Sequence, residues 1–316
     1  MSMISFLKLV EIRTKVASMI PFLIGTVYAI YRFDEFRLYP FILMFISLLF
    51  VDMAVTAINN YYDFKKARQT VGYGYESHNA IVKYGLQEMT VIIAILTLLI
   101  IAITTGILLV IEAGILVLFL GAISFTLGIL YSFGPVPISR LPLGELVSGF
   151  FMGFVLIFVS VYIHVQQQDI VRMVFSDGFT QLSLVVDVVE VLYIFLLSIP
   201  VILGIANIML SNNICDMEED QENRRYTLPL FIGKNKALLV YELLYYIAYL
   251  DILFLLVLQV HYVIVGFLLL TFIPINRNIR RFRRVQSKEH TFALAVQNFI
   301  ILSLALLAAL GLDSIV

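Results

Sequence analysis

The sequence predicts an all-α integral membrane protein: a single transmembrane domain, residues 1–316, of nine helices with internal halves of about 1–140 and 141–316. Three observations predict it. First, 61% of the 316 residues are hydrophobic and 14% charged, with a mean hydropathy of +0.98. A soluble domain carries about 45–50% apolar and about 25% charged residues. Second, apolar runs recur that approach the ~20 residues needed to cross a bilayer core. Third, Lys and Arg gather on one side of those runs.

The runs follow in order. Val16–Ile30 comes after the charged start MSMISFLKLVEIRTK, which predicts no cleavable signal peptide. Tyr39–Ile58 ends in the polar loop NNYYDFKKARQTVGYGYESHNAIVKYGLQE. Val91–Val110 and Ile115–Tyr131 form a close pair across a short break. Leu143–Val161 is separated from Val191–Leu210 by the stretch His164–Glu190, an interfacial connection without evident chemistry. Val191–Leu210 runs into NNICDMEEDQENRRYTLPLFIGKNK. Ala237–Leu256, the short Val263–Ile275 and Phe292–Leu312 complete the set. Helices are the expected element because exposed strand edges cannot be satisfied in hydrocarbon. The alternating pattern of an outer-membrane barrel is absent.

Charge placement agrees with this count. With the N-terminus inside, nine crossings leave only Arg32, Arg37 and Arg172 outside among the 21 Lys and Arg residues. The positive-inside rule then puts the C-terminus outside. A net charge of −1 gives no global field for nucleic acid. The lone Cys215 excludes a disulfide framework and a multi-thiolate metal site.

Two inside loops carry the chemistry. Asn59 and Asp63 are four residues apart, and Asp52 and Thr56 extend that stripe towards the membrane. Asp216 and Asp220 repeat the spacing on a helix continuing from the sixth run, with Asn212 and Asn223 on much the same face. Either pair alone reads as ordinary solvated loop charge. Their repetition in both halves, each followed by basic residues, reads differently. Carboxylate and amide oxygens without Cys or a nearby His suit a hard cation, Mg²⁺ above all. Lys65, Lys66, Arg68, Arg224 and Arg225 stand nearby to take phosphate charge. The constellation reads as a Mg²⁺–diphosphate site facing a lipidic cavity. Asp52 is either a support for that site or a polar residue facing the bundle interior, and Asp251 is a hydrogen-bonding residue within the bundle. The run Arg277–Arg284 (RNIRRFRR) is read as binding anionic lipid and fixing topology.

At these loops the sequence resembles the UbiA-type membrane prenyltransferases. Their Asn-x-x-x-Asp motif is matched by Asn59 and Asp63, and their Asp-x-x-x-Asp motif by Asp216 and Asp220. Within that family the chain is most similar to the 1,4-dihydroxy-2-naphthoate prenyltransferases of menaquinone synthesis. The local evidence is EIRTKVASMIPFLIGTVYA, NNYYDFKK and LYSFGPVPISRLPLGE, the last running from Tyr131 to Glu145.

The resemblance implies a nine-helix UbiA-type bundle in the cytoplasmic membrane, its active-site loops on the cytoplasmic side. It implies Mg²⁺-dependent transfer of a polyprenyl group from an allylic diphosphate to 1,4-dihydroxy-2-naphthoate, with loss of CO2 and diphosphate. Asn59, Asp63, Asp216 and Asp220 would form the metal shell, and Lys66, Arg225 and Arg13 would contact the diphosphate. Tyr62 and Tyr131 would face the allylic cation or the acceptor. Arg140 either binds the acceptor carboxylate or is an ordinary loop charge. Partners are the two substrates and membrane lipid, not nucleic acid. Three positions depart from the family pattern: Asn60 and Gln69, where an Asp is common, and Arg224, where a Gly is common. Other readings remain open: another acceptor such as 4-hydroxybenzoate, homogentisate or haem, a cation-coupled transporter, or a non-catalytic paralogue.

Overall fold

A computed structural model describes residues 1–66, 79–132, 137–176 and 180–314. Among the described residues, eight helices are long and apolar enough to cross a membrane, rather than nine. The fourth predicted run is the exception. Helix α6 (Ile115–Ser132) carries its apolar stretch over Ile115–Tyr131 only. That stretch sits at the low end of the roughly 17–25 apolar residues that cross a bilayer core. The run predicted to be short is instead full length, Tyr262–Arg284. Hydropathy fades there at Arg277, but the helix continues because Ile275, Ile279 and Phe282 keep one face buried.

The chain divides into two compact units, Met1–Met19 with Leu38–Gly134, and Ile20–Arg37 with Pro135–Val316. The first opens with α1 (Met3–Leu9) and a 3₁₀ turn (Ile12–Lys15); α2 (Val16–Phe33) follows and from Ile20 onward belongs to the second. The long α3 (Leu38–Lys66) packs along α5 (Glu88–Ala113), with the short α4 (Ala80–Tyr84) beside them. Their core holds Leu9, Met53, Ala57, Ile81, Val91 and Leu98.

The second unit is built around α9 (Val188–Cys215). Against it packs one continuous span made of α7 (Gly144–Gly149), a π-helical segment (Phe150–Val155) and α8 (Leu156–Tyr162). Gly149 and Gly153 allow this approach. A Cβ on Gly153 would lie 2.8 Å from Ile202 Cα, and one on Gly149 would lie 2.7 Å from the Ile202 carbonyl. Small residues four apart are the usual device for close helix contact where lipid removes the hydrophobic driving force. Helices α10 (Met217–Glu222), α11 (Leu228–Ile232), α12 (Lys234–Asp251), α13 (Tyr262–Leu270), α14 (Phe272–Arg284) and α15 (Phe292–Asp313) complete the unit.

One departure from an all-α fold lies in the stretch read as an interfacial connection. Strands β1 (Val171–Ser176) and β2 (Gln181–Val186) pair antiparallel, Val171 opposite Val186. The segments are rich in β-branched and apolar residues at strand length, a signal that a search for 20-residue runs does not register. Just before them His164 is 1% exposed, and its Nδ1 accepts the Arg37 backbone N–H at 3.0 Å.

Burial, helped by the Arg37 charge, pushes the His164 imidazole down from 6.5 to about 4. A histidine kept neutral in the fold contributes stability that is complete above pH 6.5. That contribution is lost as pH falls towards 4. The melting midpoint should therefore drop as pH is lowered through this window. His164→Phe should show a shallower drop and a lower midpoint at neutral pH, having lost the Arg37 bond. Parallel pH–melting curves check both.

Candidate active site

The first motif sits on the last turns of α3. Asn59 is half-buried and makes no hydrogen bond to a described residue, and Asp63 is exposed one turn on. Helical spacing puts the two on one face. Tyr62 is 36% exposed and meets Tyr61 edge-on, ring centroids 6.0 Å apart. Lys65 turns to Glu88 on α5 at 2.6 Å rather than standing free for phosphate. Lys66 closes α3; its side chain, together with Arg68 and Gln69, lies outside the described residues. Arg13 is exposed on the 3₁₀ turn, without an ion pair among the described residues, and Tyr131 is half-buried near the end of α6.

The predicted stripe behind Asn59 has a different use. Lys15, 3% exposed, donates to Asp52 Oδ1 and to Thr56 Oγ1, both at 2.6 Å. Ser18 Oγ donates to Asp52 Oδ2, also at 2.6 Å. Asp52 is therefore the partner of a buried lysine. Lys15, one of the basic residues counted on the inside, is itself buried.

Asn60 is also structural. Its Nδ2 donates to the Leu9 carbonyl at 2.9 Å and lies 3.4 Å from Glu11 Oε1, while Asn79 donates to the Asn60 carbonyl at 2.9 Å. An aspartate there would set a carboxylate against a carbonyl and a second carboxylate. Asn60→Asp should cost about 2–3 kcal/mol, the scale of a buried polar group left without a partner. A thermal melt of the variant checks this.

The second motif straddles a helix break. Helix α9 ends at Cys215, and Asp216 joins it to α10, so the predicted continuous helix is interrupted. The Asp220 backbone N–H still donates to the Asp216 carbonyl at 2.7 Å, which keeps the two aspartates one turn apart. Asp216 Oδ2 accepts from Asn212 Nδ2 at 3.1 Å and is ion-paired with Lys288. Asn223 turns away to the Glu219 carbonyl and is exposed.

Asp220 is 1% exposed. Thr227 Oγ1 donates to its Oδ2 at 3.1 Å, and Arg225 Nε lies 3.4 Å from Oδ1. Burial pushes the Asp220 carboxyl up, while Arg225 and Thr227 hold it down. Arg225 reaches this position because Arg224 takes the left-handed conformation, φ 52°, and the Arg225 N–H then closes on the Asp220 carbonyl at 2.8 Å. Glycine adopts that conformation freely, and an arginine does so at a cost of roughly 1–2 kcal/mol.

Two residues outside the motifs support it. Glu145, 5% exposed on α7, accepts from Asn213 Nδ2 at 2.8 Å and pins the end of α9. Its place in the Leu-Gly-Glu stretch was the only sequence signal. Lys288, 72 residues from Asp216, had none. Arg140 is exposed, and its carbonyl accepts the Tyr226 N–H at 2.9 Å, tying the segment after Pro137 to the second-motif loop.

The oxygen donors present fit a hard cation. Among the described residues no three His, Cys, Asp or Glu side chains group as a metal site. Within the second unit Asp216 and Asp220 alone would serve, which suits Mg²⁺, an ion that keeps waters and shares its shell with phosphate oxygens.

A donor set of this kind, at the end of a membrane helix bundle, coincides with a family match. The sequence profile of the UbiA prenyltransferase family fits residues 18–310. The chain belongs to that family. As a UbiA-family member it is 32% identical over 239 residues to a 1,4-dihydroxy-2-naphthoate octaprenyltransferase of Bacillus subtilis (strain 168), covering 75% of this chain and 68% of that one. Solved UbiA homologues share its fold. One from Archaeoglobus fulgidus, bound to GPP and Mg²⁺, superposes with a TM-score of 0.64 at 16% identity over 99% of this chain and 100% of that one. One from Aeropyrum pernix K1 gives 0.66 at 17% identity, covering 92% and 97%. This UbiA-family member is a membrane prenyltransferase by kinship.

Proposed function

We propose that the protein transfers a polyprenyl group from an allylic diphosphate to 1,4-dihydroxy-2-naphthoate, releasing diphosphate and CO2 and giving a demethylmenaquinol, which air oxidises to the demethylmenaquinone. The observation that carries the reading is the relative named a 1,4-dihydroxy-2-naphthoate octaprenyltransferase, at 32% identity. Asp216 and Asp220, held one turn apart, support it.

In this reading Asn59, Asp63, Asp216 and Asp220 would hold Mg²⁺. When bound, the ion offsets the charge that collects on the departing diphosphate. Lys66, Arg225 and Arg13 bind diphosphate oxygens and stabilise the same charge. The allylic C–O bond breaks with its electron pair leaving on the diphosphate. Tyr62 and Tyr131 offer aromatic faces to the cation that remains. The naphthoate carbon bearing the carboxylate forms the new C–C bond, with Arg140 orienting that carboxylate, and CO2 then leaves as the ring regains aromaticity. With Ile115–Tyr131 counted as a ninth crossing, the basic loops and the N-terminus face the cytoplasm, the C-terminus faces outward, and the prenyl tail lies towards lipid.

An acceptor panel tests the specificity. Purified protein is given geranylgeranyl diphosphate with 1,4-dihydroxy-2-naphthoate, 4-hydroxybenzoate or homogentisate, and products are weighed by mass spectrometry. Turnover with the naphthoate in preference to the others is expected. Preference for another acceptor would keep the reaction class and overturn the substrate.

A further inference from the structure

Helix α14 carries a second concentration of positive charge, separate from both motifs. Arg277, Arg280, Arg281 and Arg284 follow at spacings of three and four, so they line one face over about 10 Å of helix. All four are exposed, and none makes an ion pair or hydrogen bond with a described residue. Their neighbour Arg283, off this face, is by contrast ion-paired with Glu242. Ile275, Ile279 and Phe282 bury the opposite face, which fixes the helix rotation and holds the four guanidinium groups outward.

These arginines border a groove of about 410 Å³ that continues along the helix to Phe272 and Ile273, the latter 67% exposed. The groove is therefore graded. Its apolar end joins α13, the more apolar part of the candidate span, and its cationic end is where the span runs out. Four guanidinium groups without an ion-pair partner among the described residues would repel one another, and a phosphate accepting paired N–H bonds relieves that repulsion.

We propose that this groove is a binding site for the headgroup of an anionic phospholipid, its phosphate on the arginine face and its acyl chains along Phe272 and Ile273. The charge gradient matches a lipid standing in the bilayer, which a free anion would not need. The site depends on the chain crossing a membrane and not on the prenyl-transfer reading.

Native mass spectrometry of the detergent-purified full chain tests it, with phosphatidylglycerol or phosphatidylcholine added. R277Q/R281Q should weaken phosphatidylglycerol binding by roughly 30-fold, from about 1 kcal/mol per basic residue near an anionic lipid. The charge-matched K234Q/K236Q, on the exposed start of α12, should leave it unchanged, and phosphatidylcholine binding should not respond to either pair. An equal loss in both variants would overturn the proposal, since any lost charge would then suffice. So would unchanged binding in R277Q/R281Q. Displacement of the lipid by millimolar inorganic phosphate would also overturn it, marking the groove as a site for a soluble anion.

Discussion

Asp216→Ala should lower prenyl transfer by at least ~10²-fold while leaving the protein folded. The two consequences separate because the side chain has two very different roles. Structurally, Asp216 holds an ion pair with Lys288, whose side chain is 51% exposed. The Asp216 side chain is 11% exposed, but because its partner reaches into solvent the pair contributes about 1 kcal/mol. The Asn212 contact adds little more. Chemically, the loss removes one of two carboxylates at the second motif, and a single group aimed at transition-state charge is commonly worth ~10²–10³ in rate. Asp220→Asn should be similarly inactive. It is the better variant at that position because it keeps the volume and a hydrogen-bond acceptor towards Thr227 in a buried site. Lys288→Ala removes only the counter-charge and should retain most activity. Rates at saturating substrates, paired with a thermal melt of each variant, separate loss of chemistry from loss of fold. Near-normal turnover in Asp216→Ala would remove that residue from the metal shell.

Lys15→Met should have the largest effect on stability, about 3–5 kcal/mol. The lysine is 3% exposed and its ammonium has Asp52 and Thr56 at 2.6 Å. Removing it leaves a carboxylate inside a membrane span with only Ser18 donating to it. Breaking one side of a buried pair is costly because the remaining charge keeps its desolvation penalty. Replacing both partners by apolar residues avoids that penalty, so Lys15→Met with Asp52→Leu should recover most of the loss. The half-buried Cys215 allows a thiol-reactive dye to report unfolding in detergent. A double variant no more stable than Lys15→Met would show that the pair does more than neutralise itself.

Much of the fold was legible because its signals are local. Apolar runs of about 20 residues reveal spans without any knowledge of packing, and four-residue spacing reveals a shared helix face. Where the local signal mixed two trends it misled. Hydropathy alone shortened Tyr262–Arg284, whose buried face persists beneath its arginines.

At the site, the motif aspartates and asparagine could be named from spacing and resemblance, but their companions could not. Lys15 meets Asp52 across 37 residues, Glu145 meets Asn213 across 68 and Lys288 meets Asp216 across 72. No periodicity encodes such pairings, because tertiary folding creates them. Asn60 illustrates the difference most clearly. In the sequence it is a missing negative charge, and in the structure it is a donor that an aspartate could not replace.

Prenyl transfer by the purified wild-type chain tests the central claim most directly. The reaction contains 1,4-dihydroxy-2-naphthoate and geranylgeranyl diphosphate in liposomes, with Mg²⁺ or with excess chelator, and the product is read by mass. A demethylmenaquinone-mass product that forms with Mg²⁺ and disappears with chelator is the predicted result. Absence of that product from folded protein, or its undiminished formation under chelation, would contradict the account.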